Sequence, residues 1–395
     1  MKILVLGGAG LQGKAVLHDL SKSPQVKEVV CADIHLDPIS TFRKFLDMDK
    51  IKLQVLDVRD ASSLVSLMGD RFDVVIDVLP VTFLGNVAKA ALEARVHLVS
   101  TMYGTQIPGG VHEKAIEEGI ILMPESGLDP GIDLILCGCG ASRMDEVHEL
   151  HSYCGGVPEP KAIDNPLKYK ISWTWEGVLS SYKTPGRIMR EGRVINIPAR
   201  EIHEARWVET VDFPEVGPLE LIPNGDALIF ADHLGLLKTL RSATRCTMRW
   251  PGHSALWKRL VDLNFLSDEP VKGVPFDMTP HQFMVKHLEP QLQYKEGERD
   301  IVAMRIIIVG KKNEKGMKII YDLLDMRDPE TGLFAMNRTV GYTASIVAQM
   351  IANGEIKGKG VLTPTRDIPY GRFLDEISRR GIRIKEKIET EGIPS

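Results

Sequence analysis

Short apolar runs recur through the first third of the chain, and stretches with helical spacing separate them. The runs predict strands over residues 2–6, 29–33, 53–57, 74–79, 97–101 and 120–124. Strands separated by helices at this rhythm are typical of a parallel, doubly wound sheet. We therefore predict an α/β protein whose first domain, residues 1–131, is Rossmann-like.

The pattern changes near residue 132, where apolar and polar positions begin to alternate and turns become frequent. This alternation predicts strands over residues 149–153, 169–175, 193–197, 205–211 and 244–250, and a hairpin of 301–309 and 317–323 joined by 310–316. A second α+β domain with a mixed, largely antiparallel sheet is expected over residues 132–335. Residues 336–353 return to helical spacing, so helices in residues 336–395 are expected to complete the first domain.

The first apolar run leads into a glycine-rich turn at residues 7–13, and the second ends on Asp33. Strand, glycine turn, helix, strand and acid, in this order, form the dinucleotide-binding fingerprint. We expect Gly8 to permit the tight turn, Gly10 to let the backbone approach a pyrophosphate, and Gly13 to let helix and strand pack closely. The phosphates would lie against unpaired N–H groups at the helix start.

The acid at the end of the second run favours one cofactor. Asp33 lies twenty positions after Gly13, where a carboxylate accepts hydrogen bonds from both ribose hydroxyls. A 2′-phosphate would meet a like charge there, so the sequence favours NAD over NADP.

Three other interpretations of the glycines compete with a dinucleotide site. A phosphate-binding GxxxxGK loop needs Ser or Thr where this chain has Ala15. The spacing of Gly7, Gly10 and Gly13 also fits short-chain dehydrogenases, but these need a Tyr-x-x-x-Lys that the chain lacks. A glycine-rich turn that binds nothing is the third alternative.

Composition narrows the function classes. The net charge of −4 over 395 residues, with both signs interspersed, argues against nucleic acid or an anionic membrane as a partner. No apolar stretch reaches the roughly 20 residues of a transmembrane helix, and a core strand at the start leaves no room for a signal peptide. Five widely spread cysteines suit reduced thiols. We expect a cytoplasmic protein.

Residues just past the strand ends form the expected ligand cleft, because parallel sheets bind ligands at the carboxyl ends of their strands. They are residues 8–13, Asp33, Asp57, Pro80, residues 101–103 and residues 127–129. Pro130 and Gly131 predict a turn that would hold Asp129 at the cleft mouth. The alternative is that Asp129 and Pro130 only cap a helix.

Two side chains of the second domain could take part in chemistry. Arg249 is a candidate clamp for a substrate carboxylate, and a structural ion pair is the alternative. Cys154 offers a thiol, although a free cysteine is more often a small buried hydrophobe. His148 and His151 resemble a metal-binding pair, but on a strand they would point to opposite faces, so no metal site is predicted.

Four segments together resemble the saccharopine dehydrogenase family. They are ESGLDPGID at residues 125–133, SYCGGVP at 152–158, DNPLKYKISW at 164–173 and FLSD at 265–268. The resemblance covers nearly the whole chain and is nearest to the glutamate-forming saccharopine reductases and the L-lysine 6-dehydrogenases. It implies a variant Rossmann domain completed by C-terminal helices, and a second domain that binds substrate and carries a homodimer contact.

The resemblance also implies which residues form the site. The nucleotide would contact Gly10, Leu11, Gln12, Gly13, Asp33, Thr101, Leu128, Asp129 and Pro130. The amino-acid substrate would lie near Met102, Tyr103, Asp129, Cys154 and Arg249. Asp129 and Tyr103 would be polar partners in catalysis, and Cys154 would take part in proton transfer.

Two departures from the family pattern bear on the substrate. Where the saccharopine-forming enzymes, as we align them, carry an arginine in a Pro-Asn-Arg-Asp segment, this chain has Gly225, which removes a clamp for one substrate carboxylate. A long insertion before their final sheet strands is also absent. Both departures favour the lysine 6-dehydrogenase arm.

The resemblance therefore implies an NAD(P)-dependent dehydrogenase that oxidises a C–N bond in lysine or a lysine-derived amino acid. The alternatives are a dehydrogenase for another amine, such as a carboxylated polyamine, and a non-catalytic NAD sensor on the same fold.

Overall fold

The computed structural model describes residues 1–273 and 277–390, which divide into two compact units. Unit 1 comprises Met1–Cys139 and Asp328–Arg383, and unit 2 comprises Gly140–Arg327 and the chain from Ile384 onward.

The strands are β1 (Lys2–Leu6), β2 (Glu28–Asp33), β3 (Ile51–Val55), β4 (Val74–Asp77), β5 (His97–Ser100), β6 (Ile121–Met123), β7 (Glu146–Pro158), β8 (Gly186–Arg190), β9 (Arg193–Ile197), β10 (Glu209–Phe213), β11 (Gly217–Pro223), β12 (Ser242–Arg249), β13 (Asp300–Lys312), β14 (Lys315–Met326), β15 (Gly360–Val361) and β16 (Ile384–Thr390). The α-helices are α1 (Leu11–Lys22), α2 (Ala61–Met68), α3 (Leu84–Glu93), α4 (Val111–Glu117), α5 (Ile132–Ala141), α6 (Trp175–Ser181), α7 (Leu228–His233), α8 (His253–Asp262), α9 (Pro280–Leu288), α10 (Ala335–Ala352), α11 (Pro364–Asp367) and α12 (Tyr370–Arg379). Short 3-10 turns cover Asp37–Ile39, Arg43–Phe45, Val81–Phe83, Gly104–Gln106, Pro160–Ala162, Ala199–Glu201 and Glu289–Leu292.

Unit 1 is built on a 7-stranded parallel sheet in the order β15-β6-β5-β4-β1-β2-β3. The chain winds outward from β1 in one direction and resumes in the other at β4. The carboxyl ends of β1 and β4 therefore flank the crevice where doubly wound sheets bind their ligands. The predicted Rossmann-like architecture is confirmed.

Close helix packing completes unit 1. Helix α10 contacts α1, β4 and β5. A Cβ on Gly341 of α10 would lie 2.7 Å from the Cβ of Ala15 and 2.8 Å from the carbonyl oxygen of Gln12. The glycine therefore lets α10 approach the backbone of α1, directly behind the glycine-rich loop.

The ends of strands and helices in unit 1 agree only partly with those expected from the sequence. Asp60 caps α2 by accepting hydrogen bonds from the N–H groups of Ser62 and Ser63, which is the usual role of an aspartate before a helix. The third strand, β3, begins and ends two residues earlier than predicted, so Asp57 lies beyond the strand rather than on it. Strand β3 is at the sheet edge and is largely exposed, so its apolar pattern is weak.

Unit 2 contains a 9-stranded sheet whose main path is β10-β11-β12-β7-β13-β14-β16, with β8 paired to β12 and β9. Strands β12 and β7 run parallel, and the other pairs are antiparallel. The mixed, largely antiparallel sheet expected from the sequence is confirmed.

Three predicted features of unit 2 were wrong. The loop between β13 and β14 is the two-residue turn Asn313-Glu314, both with positive φ, rather than residues 310–316. Lys311 and Lys312 still pair with Gly316 and Lys315 across the two strands, so the strands continue through residues whose polarity had suggested a loop. Residues 169–175 form no strand, because Thr174 caps α6 at Trp175 and the aromatic residues pack into a helix-lined cluster. Strand β10 begins at Glu209, later than predicted.

The C-terminal segment differs from the expected helices. Residues 384–390 form β16, an edge strand paired with β14 in the sheet of unit 2. Its alternating charges are typical of an edge strand that faces water on one side. The chain passes between the units after Cys139, Arg327 and Arg383, whereas the sequence-based division lay at residues 131 and 335. Residues 391–395 of the predicted helical segment lie outside the described residues.

A buried carboxyl group links β4 to β5. Asp77 is 1% exposed, and its carboxylate accepts hydrogen bonds from the Leu79 N–H at 3.0 Å and the Ser100 hydroxyl at 2.9 Å. Burial raises the pKa of Asp77 to about 6, against the opposing effect of these two hydrogen bonds.

We expect the substitution Asp77→Asn to change how stability depends on pH. The folded-state pKa of about 6 exceeds the roughly 3.9 of an unfolded aspartate, so the folded protein binds this proton more tightly. The stabilising contribution of Asp77 is therefore complete below about pH 4 and is lost as the pH rises through 6. Urea unfolding across this range should show the wild type losing on the order of 3 kcal/mol relative to Asp77→Asn.

Asp60→Asn is the control for this experiment. Hydrogen bonds from Ser63 and Ser62 lower the pKa of the exposed Asp60 to about 2, so its contribution is lost as the pH falls. Asparagine keeps the helix cap, and the pH effect should have the opposite sign. Parallel pH profiles for the wild type and Asp77→Asn would contradict the burial of this carboxyl group.

Candidate functional site

The glycine-rich loop connects β1 to α1, and its sterics differ in one respect from the prediction. Gly7, at φ +76°, adopts the left-handed conformation, so the tight turn expected of Gly8 falls one residue earlier. Gly8 is needed for packing, since a Cβ there would lie 2.6 Å from the Cys31 sulfur. A Cβ on Gly13 would lie 2.3 Å from the Gly7 carbonyl oxygen and 2.5 Å from the Gly8 Cα, which confirms the close packing predicted there.

The start of α1 has the features of an anion site. Gly10 is the N-cap residue, and no side chain caps the helix. The N–H groups of a first helical turn have no partner within the helix, and the helix dipole favours negative charge there. A Cβ on Gly10 would meet only the Gly7 carbonyl oxygen, at 3.3 Å, so the backbone is open to a ligand.

Asp33 lies at the end of β2, beside this loop. Its carboxylate accepts hydrogen bonds from the Ala9 N–H at 3.0 Å and the His35 N–H at 3.2 Å. These contacts fix one carboxylate next to the glycine loop, where it can accept hydrogen bonds from ribose hydroxyls.

Loops after β4, β5 and β6 continue the site. The Leu79 side chain, just before Pro80, lies 3.1 Å from the Cβ position of Gly7. The Thr101 N–H donates to the Asp77 carbonyl oxygen at 3.3 Å, and the Thr101 side chain borders Gly127. These predicted residues of unit 1 thus lie at the carboxyl ends of the parallel strands.

Two buried polar atoms fit a bound dinucleotide. The Nε2 atom of Gln12 and the Oγ1 atom of Thr101 have no hydrogen-bond partner within residues 1–273 and 277–390. Buried polar groups are almost always hydrogen-bonded, so partners from outside the chain are expected at both atoms. Both residues were predicted to contact the nucleotide.

Asp57 differs from the other predicted cofactor residues. Its carboxylate binds the guanidinium of Arg59 through both oxygens, at 2.7–3.0 Å. The Arg59 side chain and N–H lower the pKa of the exposed Asp57 carboxyl. In the structure, Asp57 therefore forms a surface ion pair.

The turn over residues 127–131 holds Asp129. The Gly127 N–H donates to the Pro130 carbonyl oxygen at 2.9 Å, and the Asp129-Pro130 peptide bond is cis. Helix α5 begins later, at Ile132, so the alternative in which Asp129 and Pro130 cap a helix is wrong. Asp129 is half-buried in this turn, between Leu128 and Pro130, which are both buried.

Met102 and Tyr103 follow β5 and lie against the segment after β6. The Met102 N–H donates to the Ser100 hydroxyl at 3.3 Å, and the Met102 carbonyl accepts from the Glu125 N–H at 2.9 Å. Both side chains are half-buried. Glu125, which was not predicted as a site residue, is a buried carboxylate with φ +61° that accepts a hydrogen bond from the Gly104 N–H.

In unit 2, the sheet brings Cys154 and Arg249 to one face. Cys154 on β7 pairs with Thr247 on β12, and alternate residues of a strand share a face. Arg245, Thr247 and Arg249 therefore lie on the same face as Ser152 and Cys154. Tyr153 and Cys246 face the other side, where an apolar cluster packs.

Arg249 is a buried cation that has no acidic partner among residues 1–273 and 277–390. It is 7% exposed, and its Nε and Nη1 atoms donate to the Tyr182 hydroxyl at 3.4 Å and the Met248 carbonyl at 2.9 Å. The guanidinium lies 5.3 Å from the centroid of the Tyr169 ring. Within the described parts of the chain no carboxylate lies within ion-pair distance of it, so a structural ion pair is excluded.

Two other cations of unit 2, the buried Lys170 and the half-buried Arg305, have acidic partners. Lys170, in the DNPLKYKISW segment, contacts Asp164 at 3.0 Å and Glu298 at 2.7 Å. Arg305 forms a bidentate pair with Asp322, at 2.6 and 2.8 Å. An uncompensated buried charge is strongly unfavourable, so an anionic ligand is the natural partner of Arg249.

Further residues near Arg249 escaped the sequence analysis. The Nε2 atom of His253 lies 2.7 Å from the Tyr182 hydroxyl, and its Nδ1 lies 3.0 Å from the Leu167 carbonyl oxygen. The Ser152 hydroxyl, on the same sheet face, is buried without a partner in the described residues. The sequence offered one indication of this face, which is that Arg245, Thr247 and Arg249 are spaced two residues apart on a predicted strand.

Arg245 bears on the predicted loss of a clamp at Gly225. Its Nη1 atom lies 3.0 Å from the position that a Cβ on Gly225 would take, and donates to the Asn224 carbonyl. Gly225 itself has φ +64°. One guanidinium therefore lies beside the residue where the family pattern has an arginine.

His148 and His151 on β7 each have a side-chain partner. The Nε2 atom of His148 contacts Glu146 at 3.2 Å, and His151 contacts Glu149 at 3.3 Å and Thr244 at 2.7 Å. Across residues 1–273 and 277–390, no group of three or more potential ligands could hold a metal ion. None of the helices in the same residues is long and apolar enough to cross a membrane.

Two family models match the chain. Residues 3–123 match the "Saccharopine dehydrogenase NADP binding domain", and residues 127–382 match the "Saccharopine dehydrogenase C-terminal domain". The first model covers the glycine loop and Asp33, and the second covers Asp129, Cys154 and Arg249.

Curated relatives agree with this assignment. The chain is 26% identical to "Alpha-aminoadipic semialdehyde synthase" of Arabidopsis thaliana, over 91% of this chain and 41% of the relative. It is 29% identical to the mitochondrial enzyme of that name from Mus musculus, over 96% and 47%. The chain thus spans about half the length of these relatives. It matches "Saccharopine dehydrogenase [NADP(+), L-glutamate-forming]" of Saccharomyces cerevisiae at 25% identity, over 98% and 99%.

A solved structure shares the fold. Apo saccharopine dehydrogenase (L-Glu forming) from Saccharomyces cerevisiae superposes with a TM-score of 0.84 at 24% identity, covering 98% of this chain and 99% of that one. The resemblance seen in the four sequence segments is confirmed. The chain belongs to the saccharopine dehydrogenase family of pyridine-nucleotide-dependent oxidoreductases.

Proposed function

We propose that the chain is an NAD-dependent dehydrogenase that oxidises the C–N bond of an amine in lysine or a lysine-derived amino acid. The observation that carries the proposal is the buried guanidinium of Arg249, which has no carboxylate partner in the described residues. A substrate carboxylate would supply the missing negative charge through bidentate hydrogen bonds.

Residues of unit 1 would hold the cofactor. The first turn of α1 would bind the pyrophosphate, Asp33 the ribose hydroxyls, and Gln12 and Thr101 would donate to further polar atoms. A nucleotide held by these residues would supply the acceptor for a hydride from the carbon that bears the amine. Water then hydrolyses the substrate imine, which releases the semialdehyde and either ammonia or glutamate.

Other residues would orient the substrate and move protons. Asp129 and Tyr103 are proposed as polar partners of the amine at the strand ends of unit 1. Cys154 shares a sheet face with Arg249 and is proposed to take part in proton transfer. Three expectations stay predictions. The first domain would bind the nucleotide, and the second would bind the substrate and form the dimer contact. The protein would be a homodimer and would be cytoplasmic.

The substrate assay tests the proposal as a whole. We expect reduction of NAD with L-lysine, because Gly225 lacks the arginine of the saccharopine-forming enzymes. Absorbance of the reduced cofactor should be followed with L-lysine, saccharopine and a carboxylated polyamine in parallel. Turnover of saccharopine alone, as the names of the fungal relatives suggest, would contradict our interpretation of Gly225. Cofactor binding without turnover of any of the three would favour the sensor.

Asp33 is proposed to set the preference for NAD, although the matched model and the fungal relatives are named for NADP. Asp33→Asn removes the charge that would repel a 2′-phosphate. The ratio of kcat/KM for NAD to that for NADP should fall about tenfold or more in this variant. Asp37→Asn, at an exposed residue four positions later, is the control of equal charge. A wild-type preference for NADP would overturn this role of Asp33.

Arg249→Met should separate function from stability. Removal of a buried, uncompensated cation should leave the free energy of unfolding unchanged or raise it by about 1–2 kcal/mol. Loss of the clamp should raise the KM for the amino acid about 100-fold, with the KM for NAD unchanged. Chemical unfolding and steady-state kinetics measure the two effects.

Arg305→Met is the matched control for that variant. It makes the same change on the same sheet, but it leaves Asp322 without its bidentate partner. Stability should fall by about 2 kcal/mol, and the KM for the amino acid should not change. If both variants lost stability equally while keeping the wild-type KM, Arg249 would be a structural residue.

A further inference from the structure

A chain of hydrogen bonds ends on the guanidinium of Arg249. The Leu167 carbonyl oxygen lies 3.0 Å from Nδ1 of His253, and Nε2 of His253 lies 2.7 Å from the Tyr182 hydroxyl. The Tyr182 hydroxyl accepts from Nε of Arg249 at 3.4 Å. The side chains of Arg249, Tyr182 and His253, which form these hydrogen bonds, are all buried.

Each hydrogen bond in the chain has one possible direction. A carbonyl oxygen can only accept, so Nδ1 of His253 must carry the proton that it donates to Leu167. Burial, reinforced by the charge of Arg249, holds the pKa of His253 well below its ordinary value, so the ring is neutral and Nε2 is an acceptor. The Tyr182 hydroxyl therefore donates to His253, and its oxygen is left to accept from Arg249.

The surroundings of Tyr182 hold it in place. Its ring packs against Trp257, with centroids 4.9 Å apart, and against His203 at 4.8 Å in an edge-on contact. Tyr182 is 1% exposed and Trp257 is 0% exposed. A ring enclosed in this way cannot change rotamer without displacing its neighbours, so its hydroxyl is a fixed acceptor.

The fixed acceptor orients the guanidinium. Nε is bound to Tyr182, one N–H of Nη1 is bound to the Met248 carbonyl, and the Tyr169 ring lies against the guanidinium. The Nη2 side has no hydrogen bond to any described residue. The end of the guanidinium that a carboxylate would bind is thus the end that the protein leaves open.

We propose that Tyr182 and His253 are positioning residues, which fix Arg249 so that its Nη2 side meets the substrate carboxylate. Neither residue touches the substrate in this scheme, and both act through Arg249. The inference rests on the proposed role of Arg249 as the carboxylate clamp.

Tyr182→Phe tests this inference, because it removes the hydroxyl and keeps the ring. The KM for the amino acid, measured with L-lysine and with saccharopine, should rise about tenfold, as expected for the loss of one hydrogen bond to a charged group. The kcat and the KM for NAD should stay within about twofold of the wild type. A merely structural defect would lower the active fraction and so kcat, with no selective effect on this KM.

A double-mutant cycle separates positioning from an independent role. In the Arg249→Met background, Tyr182→Phe should have no further effect on the KM for the amino acid. An equal rise in both backgrounds would overturn the inference, as would an unchanged KM in Tyr182→Phe alone. If Arg249→Met leaves this KM unchanged, the clamp itself fails, and the proposed substrate contact is overturned together with the inference.

Two further variants check specificity. His253→Gln keeps an acceptor for Tyr182 and a donor for Leu167, so it should retain a KM near that of the wild type, whereas His253→Leu should raise it as Tyr182→Phe does. Tyr153→Phe is the matched control, since Tyr153 is a buried tyrosine on the opposite face of the sheet and bonds Thr244. A selective rise in KM for Tyr153→Phe, or a loss in His253→Gln equal to that in His253→Leu, would contradict positioning through this chain.

Discussion

A buried positive charge whose hydrogen bonds go to neutral acceptors is the constraint on which the site in unit 2 depends. Arg249 lies on β12 and contacts a hydroxyl, a carbonyl and an aromatic ring. Lys170 and Arg305, by contrast, contact carboxylates. A carboxylate at that position would stabilise the free protein and would also compete with an anionic ligand. The neutral surroundings thus keep the charge available, and the aromatic cluster around Tyr182 supplies the rigidity that an ion pair would otherwise give.

Unit 1 follows the same logic, with the partial positive charge of a helix start in place of a guanidinium. The first turn of α1 concentrates partial positive charge, and no side chain caps it. The nearby carboxylate of Asp33 is held to one side by the Ala9 N–H, so it does not fill the place of a phosphate. Both units therefore leave selected polar groups without a partner among the described residues, and the packing around those groups is dense enough to keep them in place.

The sequence predicted what depends on neighbours along the chain. Strands β1 and β9, the cap at Asp60 and the crevice of the parallel sheet follow from apolar periodicity and short-range capping. Packing at a distance decided the rest. Residues 169–175 alternate like a strand, but their aromatic rings fill a cluster with helices that come later in the chain. Residues 384–390 look like a solvated helix, but they pair with β14. The left-handed position is Gly7, whereas Gly8 is needed for packing against Cys31.

The site itself was only half visible for the same reason. Arg249 could be proposed from its type and strand position. The hydrogen bonds that connect Arg249, Tyr182, His253 and Leu167 join residues 67 to 86 positions apart, which one sequence does not reveal. Gly225 shows that a change in a sequence motif does not by itself report the charge around it. The missing arginine suggested a lost positive charge, yet Arg245 places a guanidinium 3.0 Å from the absent Cβ. Because the Arg245 guanidinium lies next to position 225, the absence of an arginine at position 225 need not change the charge in this region. The number of carboxylates that the site accepts must therefore be judged from the sheet register, which sets Arg245 and Arg249 on one face.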